Sequence, residues 1–245
     1  MTHKTKGIVL RTVKYGETSL IVAVYTELFG LQSYLVKGVR KSGKSAAGKI
    51  SFFQPGAQLD MVVYLNPVKS IQFIREYGWS YVYKDVFFDV LKNAVAIYAV
   101  EMILHTIREP ESNPELFYFI EQTLQYIDQS DAHHIANIPL VFSLQLAQIM
   151  GLQFHGVYQP ETPILDLMDG RFIAQRPDHP YYMEGDDAQL TYAFMQIGSL
   201  DEAKNINLSR INRRSLLKCY QQFFSLHLEN YIESKSYLIL QTVLQ

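Results

Sequence analysis

The chain has one cysteine, Cys219, among its 245 residues. An intramolecular disulfide is therefore excluded, and too few thiolates remain for a cysteine-rich zinc site. Long apolar runs are also missing, since Arg11 interrupts the N-terminal segment before it reaches the length of a signal or a membrane span. Secretion and membrane insertion are not expected, and the reducing cytoplasm is the expected compartment, close to the nucleoid if the partner is DNA. GxSxG, HExxH and paired Cys–His patterns are lacking, which removes support for nucleophilic or metallohydrolase chemistry. His133, His134, His155 and His179 are scattered and do not suggest a metal site. His105 follows Glu101 by four residues and reads as a surface contact, while Asp186-Asp187 and Asp201-Glu202 read as first-turn charges that complement helix dipoles. No catalytic group, metal or cofactor is expected.

Charge is distributed unevenly. The chain as a whole carries −2, but residues 1–80 hold eleven Lys and Arg against four Asp and Glu, a balance of +7. Residues 81–245 hold eleven against twenty, a balance of −9. Such asymmetry points to a polyanionic partner for the first part and a different partner for the second. From Leu28 to Leu59 there is no acid at all, while Lys37, Arg40, Lys41, Lys44 and Lys49 are present. A Gly/Ser loop bearing these cations can follow a phosphate backbone and release its counterions. Tyr15, Tyr25, Phe29, Tyr34, Phe52 and Phe53 are the aromatics nearby, and Tyr34 is the one selected as a stacking platform for bases.

Hydrophobic periodicity divides the chain at about residue 80. Runs at Gly7–Val13, Thr18–Glu27, Leu31–Lys37, Ala57–Leu65 and Ser70–Tyr77 read as five strands with Gly and Pro punctuation, predicting a small closed barrel. The unbroken apolar run Leu20–Val24 suggests a strand covered on both faces. After Tyr83 the period becomes helical, with helices expected over Val90–Ile107, Glu115–Ile127, Ile138–Met150, Ala188–Met195 and Leu216–Tyr231. Asp169-Gly170 between two strand-like runs predicts a two-residue hairpin turn, within an insertion near 163–180. The expected class is α+β, with domains over 1–80 and 81–245.

One motif competes for the same loop. Gly38-Val39-Arg40-Lys41-Ser42-Gly43-Lys44-Ser45 fits GxxxxGK[ST], the phosphate-binding P-loop, which works only between a strand and a helix. Gly48 and Pro55-Gly56 leave little room for a long helix, and Val86-Phe87-Phe88-Asp89 is the nearest approach to a magnesium-binding strand end. A P-loop-like nucleotide site over Gly38–Ser45 is the alternative reading.

Several short motifs occur in a fixed order: Gly7-Ile8-Val9-Leu10-Arg11, Tyr15-Gly16-Glu17, Tyr25-Thr26-Glu27-Leu28-Phe29-Gly30, Lys37-Gly38-Val39-Arg40 with Ser45, and Phe53-Gln54-Pro55-Gly56. Together they resemble the N-terminal domain of the RecO recombination mediators, over about the first 60 residues. The resemblance implies that the barrel is an OB-fold and that a mainly helical domain with a small β-hairpin follows. It implies a non-enzymatic protein that binds single-stranded and double-stranded DNA, anneals strands and, with the partner RecR, helps load recombinase onto DNA coated by single-stranded-DNA-binding protein (SSB). The DNA contacts so implied are Lys37 and Arg40 with Lys41, Lys44 and Lys49, and Arg11 and Tyr34 complete the candidate set. The resemblance also implies docking of the SSB C-terminal tail on the helical domain, here around Phe117 and Tyr118. Basic residues found along the next helix in some relatives are Leu140 and Val141 here. Some relatives carry a four-cysteine zinc module where this chain has Pro163–Pro180 without cysteine, so turn geometry and apolar packing are expected to hold that segment.

Overall fold

Five β-branched and aromatic segments pair into strands: β1 (Thr2–Tyr15), β2 (Ser19–Thr26), β3 (Gly30–Val36), β4 (Gln58–Tyr64) and β5 (Ile71–Tyr81). The computed structural model describes residues 2–40, 44–107 and 111–244. The strands close into a barrel in the order β1-β2-β3-β5-β4, with β1 pairing back to β4 and all pairs antiparallel except β3–β5. Helix α1 (Lys44–Ser51) lies between β3 and β4 in sequence. This is the OB-fold, and closure leaves no free sheet edge.

β1 begins five residues earlier than its apolar pattern. Polar Thr2–Lys6 are recruited because they complete the ladder to β4, from Thr2↔Tyr64 to Ile8↔Gln58. A register shift between Val9 and Arg11 then turns the same strand onto β2. Gly7 sits at this crossing, where a Cβ would come within 2.4 Å of Met61 Cε and 2.6 Å of Val24 Cγ1. Inside, Ile8, Val22, Val24, Leu59 and Val63 are fully buried, each contributing about 1.5–3 kcal/mol by leaving water. The expectation that Leu20–Val24 is covered on both faces is corrected: Leu20, Val22 and Val24 point inward, whereas Ile21 and Ala23 are half-buried on the outer face.

Contacts divide the chain into two compact units, Met1–Lys84 with Ile107–Gln125, and Asp85–Thr106 with Tyr126–Gln245. Helix α2 (Val90–Thr106) belongs to the second and α3 (Pro114–Gln129) spans the division. In the first unit, Leu116, Phe117 and Ile120 of α3 are buried, and Lys6 Nζ meets Glu121 Oε1 at 2.9 Å. The Glu121 hydrogen bond raises the Lys6 pKa against the opposing effect of burial.

In the second unit α2 is apolar nearly all round and packs against α4 (Ala132–Ile135), α5 (Ile138–Ile149) and α8 (Lys235–Val243). Gly151, at φ +75°, ends α5 as expected, with the Leu152 N–H donating to Ala147 O at 2.7 Å. Asp186 and Asp187 lie in the first turn of α6 (Asp186–Met195), and Asp201 and Glu202 in that of a 3-10 helix (Leu200–Asn205), as the charge pattern suggests. Helix α7 spans Arg210–His227, starting six residues before the apolar pattern and ending before Tyr231. Glu101 and His105 do not pair: Glu101 accepts from Ser234 and Ser236, and the buried His105 Nδ1 has no partner.

The segment after α5 forms a small sheet, β6 (Ile164–Asp166), β7 (Arg171–Ile173) and β8 (Tyr182–Met183), ordered β7-β6-β8. Its turn is corrected from two residues to four, because Asp166 pairs with Arg171 and Leu167–Gly170 form the loop. The Asp166 carboxylate accepts from the N–H groups of Met168 and Asp169 at 2.7 and 3.2 Å, and Gly170 supplies a φ of +65°.

Candidate nucleic-acid interface

The β1–β2 hairpin and the end of β3 meet because Leu20 pairs with Val36, so the hairpin tip at Tyr15–Ser19 stands beside Lys37. Val39 is buried and anchors the chain leaving β3. Arg40 is held there by two bonds, its N–H to Thr18 O at 3.0 Å and its Nη1 to Gly16 O at 3.1 Å. The Arg40 charge is thus fixed at the tip of the hairpin, next to exposed Lys14 and Tyr15. Lys37 is exposed with its Nζ 5.4 Å from the centre of the Phe73 ring, a cation–π contact worth about 0.5–1 kcal/mol at such a site. Lys14 was counted only toward net charge in the sequence; its place beside Arg40 follows from the hairpin register, which no local motif announces.

Arg11 is exposed on β1 just after the register shift. The neighbouring Thr12 hydroxyl donates to Phe53 O at 2.6 Å, tying the segment after α1 to this strand. Lys49 is exposed at the end of α1. Three residues on, Phe52 stacks on half-buried Trp79 with ring centres 4.4 Å apart and meets Tyr77 edge-on at 5.2 Å. Among the described residues none of Arg11, Lys14, Lys37, Arg40 and Lys49 forms an ion pair. Lys41 lies outside the described residues, as does the side chain of Lys44.

Tyr34 is corrected as a stacking platform. Its ring is 0% exposed, inside the barrel, and burial drives the pKa of its unpartnered hydroxyl far upward. β3 alternates, and Tyr34 shares the inner face with Val36. Phe117 is corrected likewise, being 1% exposed and stacked near Tyr25 at 6.4 Å. Tyr118 is 40% exposed, but its hydroxyl donates to Glu27. Leu140 and Val141 are core residues of the second unit.

The GxxxxGK[ST] segment does gain a helix, since α1 begins at Lys44 and continues for eight residues despite Gly48. The sheet that delivers it is nevertheless a closed OB barrel and not the layered parallel sheet of nucleotide-binding P-loops. Asp89 is no magnesium ligand on a strand: its Oδ1 accepts from the Lys92 N–H at 2.8 Å and caps α2.

An OB barrel with unpaired cations, joined in one chain to a helical unit, is the class of protein that this architecture defines. Family models agree with it and go further: the recombination protein O N-terminal model matches residues 1–83 and the C-terminal model residues 88–157. The chain belongs to the RecO family of recombination and DNA repair proteins. It is similar to the DNA repair protein RecO of Christiangramia forsetii, with 32% identity over 99% of both chains. It is also similar to those of Flavobacterium psychrophilum, 29% identical over 99% of each, and Phocaeicola vulgatus, 28% over 98% of each.

Proposed function

We propose that the protein is a non-enzymatic mediator of DNA repair and recombination. It binds single-stranded and double-stranded DNA through the barrel, anneals complementary strands, and helps load recombinase onto SSB-coated DNA. The observation that carries this reading is the set of solvent-facing cations Arg11, Lys14, Lys37 and Lys49, none ion-paired among the described residues. Carboxylate partners would hold such charges in place; without them the charges are free to neutralise phosphates and expel counterions. Residues 1–80 act as the nucleic-acid domain, and residues 81–245 serve protein partners, RecR and the SSB tail, in the cytoplasm at the nucleoid. Tyr118 remains the partner-facing residue of its pair because its ring is exposed. No helix among the described residues is long and apolar enough to cross a membrane.

The test is anisotropy of a labelled single-stranded oligonucleotide over a salt series, with wild type and Lys37→Ala/Lys49→Ala. Log K falls with log salt by about 0.7 per phosphate neutralised, so the double variant loses about 1.4 from that slope. Absence of binding at low salt refutes the reading. Saturable ATP binding that Lys44→Ala abolishes, with oligonucleotide affinity intact, refutes it in favour of a nucleotide site.

A further inference from the structure

The second unit is acidic overall, yet Ala203–Leu228 contains Lys204, Arg210, Arg213, Arg214 and Lys218 and not one Asp or Glu. Helix α7 occupies most of that run. Its inner face is set by Leu216, Leu217, Tyr220, Phe223 and Phe224, all buried. This orientation places Arg210, Arg214 and Lys218, spaced i, i+4 and i+8, in one exposed row. At 1.5 Å per residue the row is about 12 Å long.

Within the fold this row is unfavourable. Arg210 opens the helix, where the dipole is positive, and the first turn carries no acid. The i,i+4 neighbours repel one another. Elsewhere in the same unit Lys and Arg are neutralised: Lys92 by Asp85 at 2.9 Å, Arg171 by Asp169 at 3.1 Å, Arg176 by Glu184 at 2.8 Å and Lys204 by Asp201 at 2.7 Å. Among the described residues Arg210, Arg214 and Lys218 have no carboxylate partner. Asp187, near this helix, is engaged by the Ser215 hydroxyl. Arg213 differs: it turns inward and donates from Nε and Nη2 to Asn137 Oδ1, both at 3.2 Å. Arg214 is positioned by Gln241 O, 3.1 Å from its Nε and 2.5 Å from its Nη2, which leaves three of its five N–H donors and its charge free.

We propose that the exposed face of α7 is a second nucleic-acid surface, in which Arg210, Arg214 and Lys218 contact successive phosphates. The inference rests on the reading of the protein as a DNA-binding mediator, and assigns it a contact outside the barrel. Arginine matches phosphate through its planar fork, and a row of cations needs no concave pocket to follow a backbone. An acidic peptide is disfavoured because its apolar anchors need a groove, whereas Ile211 is the one large apolar side chain exposed on α7.

The experiment uses the full chain with Arg210→Gln/Lys218→Gln, sparing Arg214 because it also bonds α8. Oligonucleotide affinity over a salt series, melting temperature, and competition by hexa-aspartate are measured. The double variant is expected to lose about 1.4 from the salt slope and to bind about tenfold more weakly at low salt. Its melting temperature should stay level or rise, because like charges have been removed. Arg210→Lys should retain the wild-type slope. Wild-type slope and affinity in the double variant, while Lys37→Ala/Lys49→Ala still weakens binding, overturns this inference alone. Failure of wild type to bind DNA overturns the broader reading with it. Displacement of the oligonucleotide from wild type by hexa-aspartate at equal charge, with the double variant unchanged in DNA affinity, reassigns the row to an acidic peptide and also overturns the inference.

Discussion

Glu101 offers the sharpest test of how the C-terminal helix is held. Its Oε2 accepts from Ser234 Oγ at 2.7 Å and from the Ser236 N–H at 2.8 Å, joining α2 to the first turn of α8. Both serines are 2% exposed, so Glu101→Ala strands two buried donors that water cannot reach. Each orphan costs about 1–3 kcal/mol, but Ser234 can still turn to Ser236, so the sum is about 2–4 kcal/mol. For a chain of this size that lowers the melting temperature by roughly 5–15 °C. Glu101→Gln keeps an acceptor and costs about 1 kcal/mol. Burial alone would raise the Glu101 pKa, but hydrogen bonds from Ser236, Ser234 and Lys235 outweigh it and hold the group below 4.5. A depressed carboxylate stabilises fully above its unfolded pKa and loses that contribution as pH falls through the folded value. Wild type should therefore shed stability below about pH 4.5 more steeply than Glu101→Gln. Circular dichroism melts at pH 7 and pH 4, with hydrogen exchange at 236–243, measure both effects. A Glu101→Ala melt within about 1 °C of wild type, or undiminished protection of α8, would refute the argument.

Three further outcomes are expected. Tyr34→Phe removes a buried hydroxyl that has no partner, so denaturation should show stability equal to or up to about 1 kcal/mol above wild type, and oligonucleotide affinity should not change. Glu121→Gln loses the ion pair to Lys6, and because the Lys6 side chain is 40% exposed the cost in urea titration is at most about 1 kcal/mol. Lys6 has a raised pKa, so that contribution is complete below 10.5 and should fade as pH climbs through the raised value. Burial pushes the Cys219 thiol up to about 11 from an ordinary 9.0, leaving about a hundredfold less thiolate at pH 8. Iodoacetamide labelling followed by mass spectrometry should be correspondingly slower in native than in unfolded protein.

Strands and long helices were legible where apolar residues keep a period. α2, α3 and α5 fall within about a turn of their expected bounds. What escaped was structure decided by pairing: Thr2–Lys6 carry no strand pattern and become β1 because β4 offers a ladder. α8 escaped because its N-terminal donors are satisfied by Glu101, well over a hundred residues earlier in the chain. The hairpin turn lengthened for a related reason, since the Asp166 carboxylate organises a four-residue loop around Met168 and Asp169, a preference the Asp169-Gly170 pair does not express.

For the candidate site, charge was readable and orientation was not. Lys37, Arg40 and Lys49 could be singled out because the stretch from Leu28 to Leu59 has no acid, whereas Tyr34 and Phe117 looked available only because an aromatic ring reads the same inside a core or outside it. One residue of strand phase separates a buried tyrosine from an exposed one. The −9 of residues 81–245 misled in a different way, by averaging an acid-free helix into its acidic surroundings. A polyanion senses charge over about 8–10 Å in physiological salt, which is nearer the length of the Arg210–Lys218 row than the dimensions of a domain. Window-by-window charge, read together with which cations have carboxylate partners, is therefore the quantity that relates this sequence to phosphate binding. By that measure the segments around Lys37 and around Arg214 stand out together, although one lies in a basic part of the chain and the other in an acidic part.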